Sequence, residues 1–292
     1  IGMAMNCFTQ KGDKVMIQPP VYHPFAWVTT RNERTLVTNP LKWENGMYRM
    51  DLDTFREQIK GCKLFILCNP HNPGGVVWTE AELRAIADIC YDEKVLVFSD
   101  EIHADLTLPP HTHRPFATVS EKARMNSVTF MSPSKAFNMP GLSASHALIF
   151  NEDLRKRFRI YMDAGELDMG HVFAFLSVEA AYSHGTEWLD QCLAYIQGNI
   201  DFVDDFLKNH APKIKAIRPE ASYLVWLDCR ELKLSQKDLN EFFVDKAHLA
   251  LNDGEMFGKE GIGFMRLNVA SPRCIIEKAM KQLADAYQLY IK

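Results

Sequence analysis

The chain has 292 residues, of which 47% are hydrophobic and 24% charged, and its formal net charge is −4. Those values describe an ordinary soluble globular protein, long enough for two domains, and give no sign of a nucleic-acid binder. Seven scattered cysteines with no CxxC pair fit free thiols in a reducing, cytoplasmic setting better than a disulfide framework. No apolar run approaches the roughly 18 to 20 residues that a membrane span needs, so no membrane partner is expected.

The opening "IGMAMNCFTQKGD" reads as the second half of an amphipathic helix that stops at Lys11-Gly12, and an N-terminal truncation is expected from it. From Val15 to about Phe150, short apolar runs alternate with helical stretches. "KVMIQ", "KLFILCN", "KVLVFSD", "SVTFMS" and "SHALIF" are the runs, bounded by turn signals as the buried strands of a largely parallel sheet should be. Between the second and third lies "TEAELRAIADICYDEK", where Thr79 and Glu82 are spaced as a capping box and Leu83, Ile86, Ala87 and Cys90 form one apolar face. The unit is βαβ.

Beyond residue 150 the rhythm changes. "TEWLDQCLAYIQGNIDFVDDFLKNH" predicts one long helix before Pro212, followed by mixed strands and helices: "SYLVWLD", "SQKDLNEFFVDKA", "GFMRLNVA" and "SPRCIIEKAMKQLADAYQLY". The expected fold class is α/β: a large, mostly parallel domain over residues 1–185 and a smaller α+β domain over 186–292, entered by the long helix.

In open α/β sheets, ligands bind beyond the carboxyl ends of the strands. "FILCNPHNPGG" ends one run with Asn69 and Asn72, "LVFSDEIH" ends the next with Asp100, and "VTFMSPSK" ends another with Lys135. Each alone has a plainer reading: an Asn-Pro-Gly cluster is usually a turn, an Asp after a strand a cap, and a lone Lys solvated. In combination they match pyridoxal 5'-phosphate chemistry. A lysine amine forms a Schiff base with the aldehyde, and an acid keeps the pyridine nitrogen protonated so that the ring accepts a carbanion's electrons. Lys135 and Asp100 suit those roles; Asn72 could donate to the phenolic oxygen, and Ser132 and Ser134 to the phosphate.

Together "NPHNPGG", "SDEIHADL", "SPSKAFNMPGL" and "RLNVASPR" resemble fold-type I pyridoxal-phosphate enzymes, specifically the MalY/PatB family of cystathionine β-lyases, over nearly the whole chain. The resemblance implies an aspartate-aminotransferase-like fold, a homodimer, and pyridoxal phosphate as cofactor. It makes Lys135 the Schiff-base lysine and general base, Asp100 the partner of the ring nitrogen and Asn72 that of the phenolic oxygen. Tyr22, in "QPPVYHPF", is implied to stack on the ring, and Arg266, in "GFMRLNVA", to grip the substrate carboxylate; a guanidinium within an apolar strand is costly unless a carboxylate meets it. Two positions depart from ordinary aminotransferases: His103 stands where many carry a tyrosine at the cofactor, and Ser143 where many carry a phosphate-binding arginine. Both favour the lyase branch, whose implied reaction is β-elimination from L-cystathionine or a related cysteine thioether, giving a thiol, pyruvate and ammonia. An aminotransferase is the nearest alternative and a non-catalytic, cofactor-sensing domain a more distant one.

Two further motifs are set aside. "HTHR", His111 to Arg114, has no third ligand at metal spacing and both histidines are expected at the surface. "GKEGIG" precedes a strand rather than a helix and lacks dinucleotide-site spacing.

Overall fold

The computed structural model describes residues 1–290. Its first half is built around one sheet. After helix α1 (Gly2–Phe8) come β1 (Lys14–Ile17), α2 (Pro24–Arg31), β2 (Thr35–Thr38), a hairpin of β3 (Lys42–Glu44) and β4 (Met47–Arg49), α3 (Leu52–Gln58), β5 (Leu64–Cys68), α4 (Glu80–Asp92), β6 (Leu96–Asp100), α5 (Glu121–Met125), β7 (Ser127–Met131), the short α6 (Pro133–Ala136) and β8 (His146–Leu148). The sheet order is β2-β1-β5-β6-β7-β8. All pairs are parallel except β7–β8, so four of the five expected runs are parallel strands, β2 joins them unanticipated, and the "SHALIF" run supplies an antiparallel edge. Every residue of β5 is buried, which is why "LFILC" is continuously apolar rather than alternating. Burial of each such side chain contributes about 1.5–3 kcal/mol.

The capping box of α4 forms as its spacing predicts: Thr79 Oγ1 accepts from the Glu82 amide at 3.2 Å, and Glu82 Oε2 accepts from the Thr79 amide at 2.8 Å. The hairpin was not among the sequence expectations. Its signal is Asn45-Gly46, both at positive φ (51° and 80°), as a tight two-residue turn requires.

The second half holds α7 (Glu152–Ala164), α8 (Val172–His184), the long α9 (Thr186–His210), β9 (Lys215–Ile217), β10 (Leu224–Asp228), α10 (Gln236–Glu241), β11 (Asn252–Asp253), β12 (Phe264–Asn268) and α11 (Arg273–Tyr290). Its antiparallel sheet runs β11-β12-β10-β9, and one core joins this sheet to α9, α10 and α11 through Ile200, Val225, Leu239 and Met280. The two sheets are bridged by a cluster in which Tyr48 of the hairpin accepts from Trp226 Nε1 at 3.1 Å and Trp226 stacks on Phe264 at 5.2 Å. Among the described residues, no helix is long and apolar enough to cross a membrane.

Candidate active site

The chain reverses its direction of travel across the large sheet between β1 and β5, because β1 is followed outward by β2 and the remaining strands build the other way. Such a switch point opens a crevice at the carboxyl ends, where neighbouring loops diverge. A cavity of about 320 Å³ lies there, lined by Tyr22 after β1, Cys68 and Asn72 at and after β5, Asp100 ending β6, Lys135 on α6 after β7, and Arg266 on β12. Ile102, His103, His23, Tyr223, Leu224 and Asn268 complete it. The amide, the carboxylate and the amine expected to meet do line one cavity; Asn69 does not, its side chain donating instead to the Arg114 carbonyl at 3.2 Å.

Two charged groups in the cavity form no ion pair among the described residues. Asp100 keeps part of its surface open to the cavity, yet loss of water raises its pKa to about 6, against the pull of the Ile102 amide, which donates to Oδ1 at 3.3 Å. Among the described residues no cationic side chain forms an ion pair with it. Arg266 is half-buried in β12 and meets no carboxylate. Its two terminal nitrogens donate to Asn72 Oδ1 at 2.9 Å and Asn252 Oδ1 at 2.7 Å, its Nε is buried without a partner, and burial draws its pKa down. Its guanidinium also stands 4.7 Å from the Phe257 ring centroid, a cation–π contact. Amide oxygens, which carry no charge, hold the arginine in position and leave its charge unpaired by any carboxylate of the described residues.

The neutral groups are equally directed. Because Asn72 Oδ1 is taken by Arg266, its Nδ2 is the end available to a ligand. His103 is buried with an unpartnered Nδ1, and desolvation depresses its pKa to about 3, so it is a neutral imidazole at physiological pH. Tyr22 packs edge-on against Phe25 at 5.5 Å, and burial raises its pKa, keeping the phenol protonated. Ser132 caps α6 by accepting from the Ser134 amide at 3.1 Å and bonds to the Ala144 carbonyl; Ser134 lines a second cavity of about 290 Å³ that shares Lys135, Tyr223 and Asn268 with the first. Tyr223, His23, Asn252 and Asn268 were not anticipated, since nothing local marks them and only the placement of the second sheet brings them in.

One histidine of "HTHR" departs from expectation. His111 is exposed, but His113 is largely buried, with Nε2 2.7 Å from Glu101 Oε2, because the loop carrying it folds back beneath the ends of the sheet. No group of three metal-ligating side chains occurs among the described residues.

Comparison with known proteins agrees with this arrangement. Residues 1–283 match the family described as Aminotransferase class I and II. The chain is 38% identical to cystathionine beta-lyase PatB of Bacillus subtilis strain 168 over 288 residues, 98% of this chain and 74% of that protein. It is 32% identical to protein MalY of Escherichia coli K12, covering 96% of this chain and 72% of the relative. The crystal structure of cystalysin from Treponema denticola, which contains pyridoxal 5'-phosphate, superposes with a TM-score of 0.96 at 35% identity, covering 100% of this chain and 74% of cystalysin. A crevice at the switch point, a lysine just beyond one strand, an acid ending the next and a match along nearly the whole length have one explanation: the chain belongs to the aminotransferase class I and II family.

Proposed function

We propose that this protein is a pyridoxal-phosphate-dependent carbon–sulfur lyase that releases a thiol, pyruvate and ammonia from L-cystathionine or a related cysteine thioether, one water being consumed. The observation that carries the reading is a pair of charged groups sharing one cavity with Lys135: Asp100, which forms no ion pair, and Arg266, which meets no carboxylate among the described residues. A protonated pyridine nitrogen answers the first and an amino-acid carboxylate the second, so the residues present fit the cofactor and its substrate. When bound, the cofactor supplies an electron sink for the pair left at Cα.

The chain's own groups do the rest. Asp100 would hold the proton on the ring nitrogen, and Tyr22, Asn72 Nδ2 and His103, which line the same cavity, would hold the ring. Ser132 and Ser134, at the start of α6 that carries Lys135, would offer hydroxyls to the phosphate. Arg266, fixed by Asn72 and Asn252, orients the substrate carboxylate and with it the Cα–H bond. Lys135 would hold the cofactor's aldehyde and would serve as the general base for the Cα proton. Loss of that proton with a thiolate leaving Cβ is β-elimination; the relatives named cystathionine beta-lyase, at 38% and 31% identity, support this branch, while a structure at 40% identity is described as a "putative aminotransferase".

In this reading residues 1–185 form the cofactor-binding part and residues 186–292 the smaller part that brings Arg266, and the protein works as a cytoplasmic homodimer. Exposed Ile160, Met169, Phe173 and Phe175 along α7 and α8 support association between copies, which light scattering tests. Pyruvate release from L-cystathionine with added pyridoxal phosphate tests the activity: we expect release by the wild type and none by Lys135→Ala. Amino-group transfer to an oxoacid without pyruvate release would instead establish a transaminase.

A further inference from the structure

A second acid stands one residue beyond Asp100. Glu101 is 1% exposed, and its side chain leaves the sheet on the same side as Ser99 and opposite to Asp100, as strand alternation dictates. Three donors converge on it: Ser99 Oγ at 2.7 Å and the Phe116 amide at 2.9 Å on Oε1, and His113 Nε2 at 2.7 Å from Oε2. As a stabilising device this is a poor choice, since taking charge out of water costs several kcal/mol per ion and an apolar side chain of the same volume often serves better.

What it does achieve is geometric. The chain leaves the sheet at Glu101 and returns at His113 to Phe116, and one carboxylate grips both ends of that excursion. The excursion carries Ile102 and His103, which line the cavity beside Asp100, and the Ile102 amide is the one hydrogen-bond donor to the Asp100 carboxylate among the described residues. Its returning limb is braced in turn by Asn69, which holds the Arg114 carbonyl at the end of β5.

We propose that Glu101 is a positioning residue of the active site: by clamping the excursion between residues 101 and 116 it fixes the Ile102 amide, and through it the Asp100 carboxylate, at the angle that meets a cofactor ring nitrogen. The proposal rests on the reading of Asp100 as partner of that nitrogen. Electrostatics agrees with the design. The Glu101 charge by itself disfavours an ionised Asp100, and the three donors that draw on the Glu101 oxygens moderate that field.

The test compares two ligands on the full chain: pyridoxal 5'-phosphate and its carbocyclic analogue, in which CH replaces the ring nitrogen. Dissociation constants are measured by fluorescence titration for wild type, Glu101→Gln and Ser99→Ala, with thermal midpoints recorded without ligand. For Glu101→Gln we expect about tenfold weaker binding of pyridoxal phosphate, equivalent to about 1.4 kcal/mol, with the analogue changed by less than about twofold. Ser99→Ala, which removes a single donor, shows the same selectivity at smaller size and decides alone if Glu101→Gln does not fold. Equal losses with both ligands would mean that Glu101 serves only the fold and would overturn the proposal, as would no loss with either. A wild type that does not distinguish the two ligands overturns the reading of Asp100 and the proposal with it; a discriminating wild type with unselective variants overturns the proposal alone.

Discussion

Asp100 and Arg266 show how single residues trade stability for chemistry. In the unfolded chain an aspartate titrates near about 3.9, whereas in the fold Asp100 holds its proton up to about 6. Between those values the native state binds a proton that the unfolded state has lost, so this residue's contribution falls as pH rises through the window, by about 1.4 kcal/mol per unit of separation. Asp100→Asn removes the penalty. Without cofactor, the variant should therefore be more stable than wild type at pH 7, with the advantage vanishing below about pH 4. His71 and His103, both depressed to about 3 by burial, act in the opposite direction, losing stability as pH falls below their unfolded value. They are common to both proteins and cancel in the comparison. Thermal unfolding at three pH values checks this, and equal midpoints at pH 7 would contradict it. For Arg266, replacement by Lys keeps a charge but loses the planar fork held by two amide oxygens. A loss of about 2–3 kcal/mol of transition-state binding, on the order of a hundredfold in kcat/KM, is expected while the thermal midpoint changes little.

At the scale of elements, the loops after the strands matter more than the strands. The loop after β5 is tied to the segment before β10 through Gly75, whose carbonyl accepts from the Glu220 and Ala221 amides at 2.8 and 3.1 Å. Gly75 has φ of 69°, and a Cβ there would lie 2.4 Å from Pro219 Cβ. Gly75→Ala is expected to cost about 2–4 kcal/mol, lowering the midpoint by roughly 5–10 °C, since strain and a backbone clash act together. A midpoint within about 1 °C of wild type would show that the loop adapts freely. The same scale explains what periodicity reveals. Buried β5 and the capped α4 were readable because their signals are local: a continuous apolar run in one, a capping box and an apolar face in the other. The short β2, half-exposed "TLVT", carries too little burial contrast to be seen, and the antiparallel direction of β8 leaves no trace in composition.

For the whole molecule, the placement of the cavity is the consequential feature. Its lining comes from the carboxyl ends of the large sheet and from Arg266, Asn268 and Tyr223 of the second half, so a ligand that fills it would touch both halves of the chain. Pyridoxal phosphate at about one hundred times its dissociation constant should stabilise the fold by about 2.7 kcal/mol, raising the midpoint by roughly 5–10 °C. Arg266→Lys, which alters the proposed substrate contact, should retain that shift, whereas Asp100→Asn should lose most of it. Differential scanning fluorimetry with and without cofactor separates these outcomes.

Read alone, the residues determined the α/β class, the βαβ unit, the long α9 and the three strand ends carrying Asn72, Asp100 and Lys135. Each rests on interactions over a few positions: periodic burial, capping, and the habit of polar residues to follow apolar runs. Only the tertiary structure decided that Asn69 turns away while Asn72 faces the cavity, that His113 is buried against Glu101, and that Arg266 is held by amides rather than by a carboxylate. Those outcomes depend on pairs far apart along the chain: 45 positions for Asn69 and Arg114, which meet through loops of the large sheet, and 194 for Asn72 and Arg266, which meet where the two sheets pack.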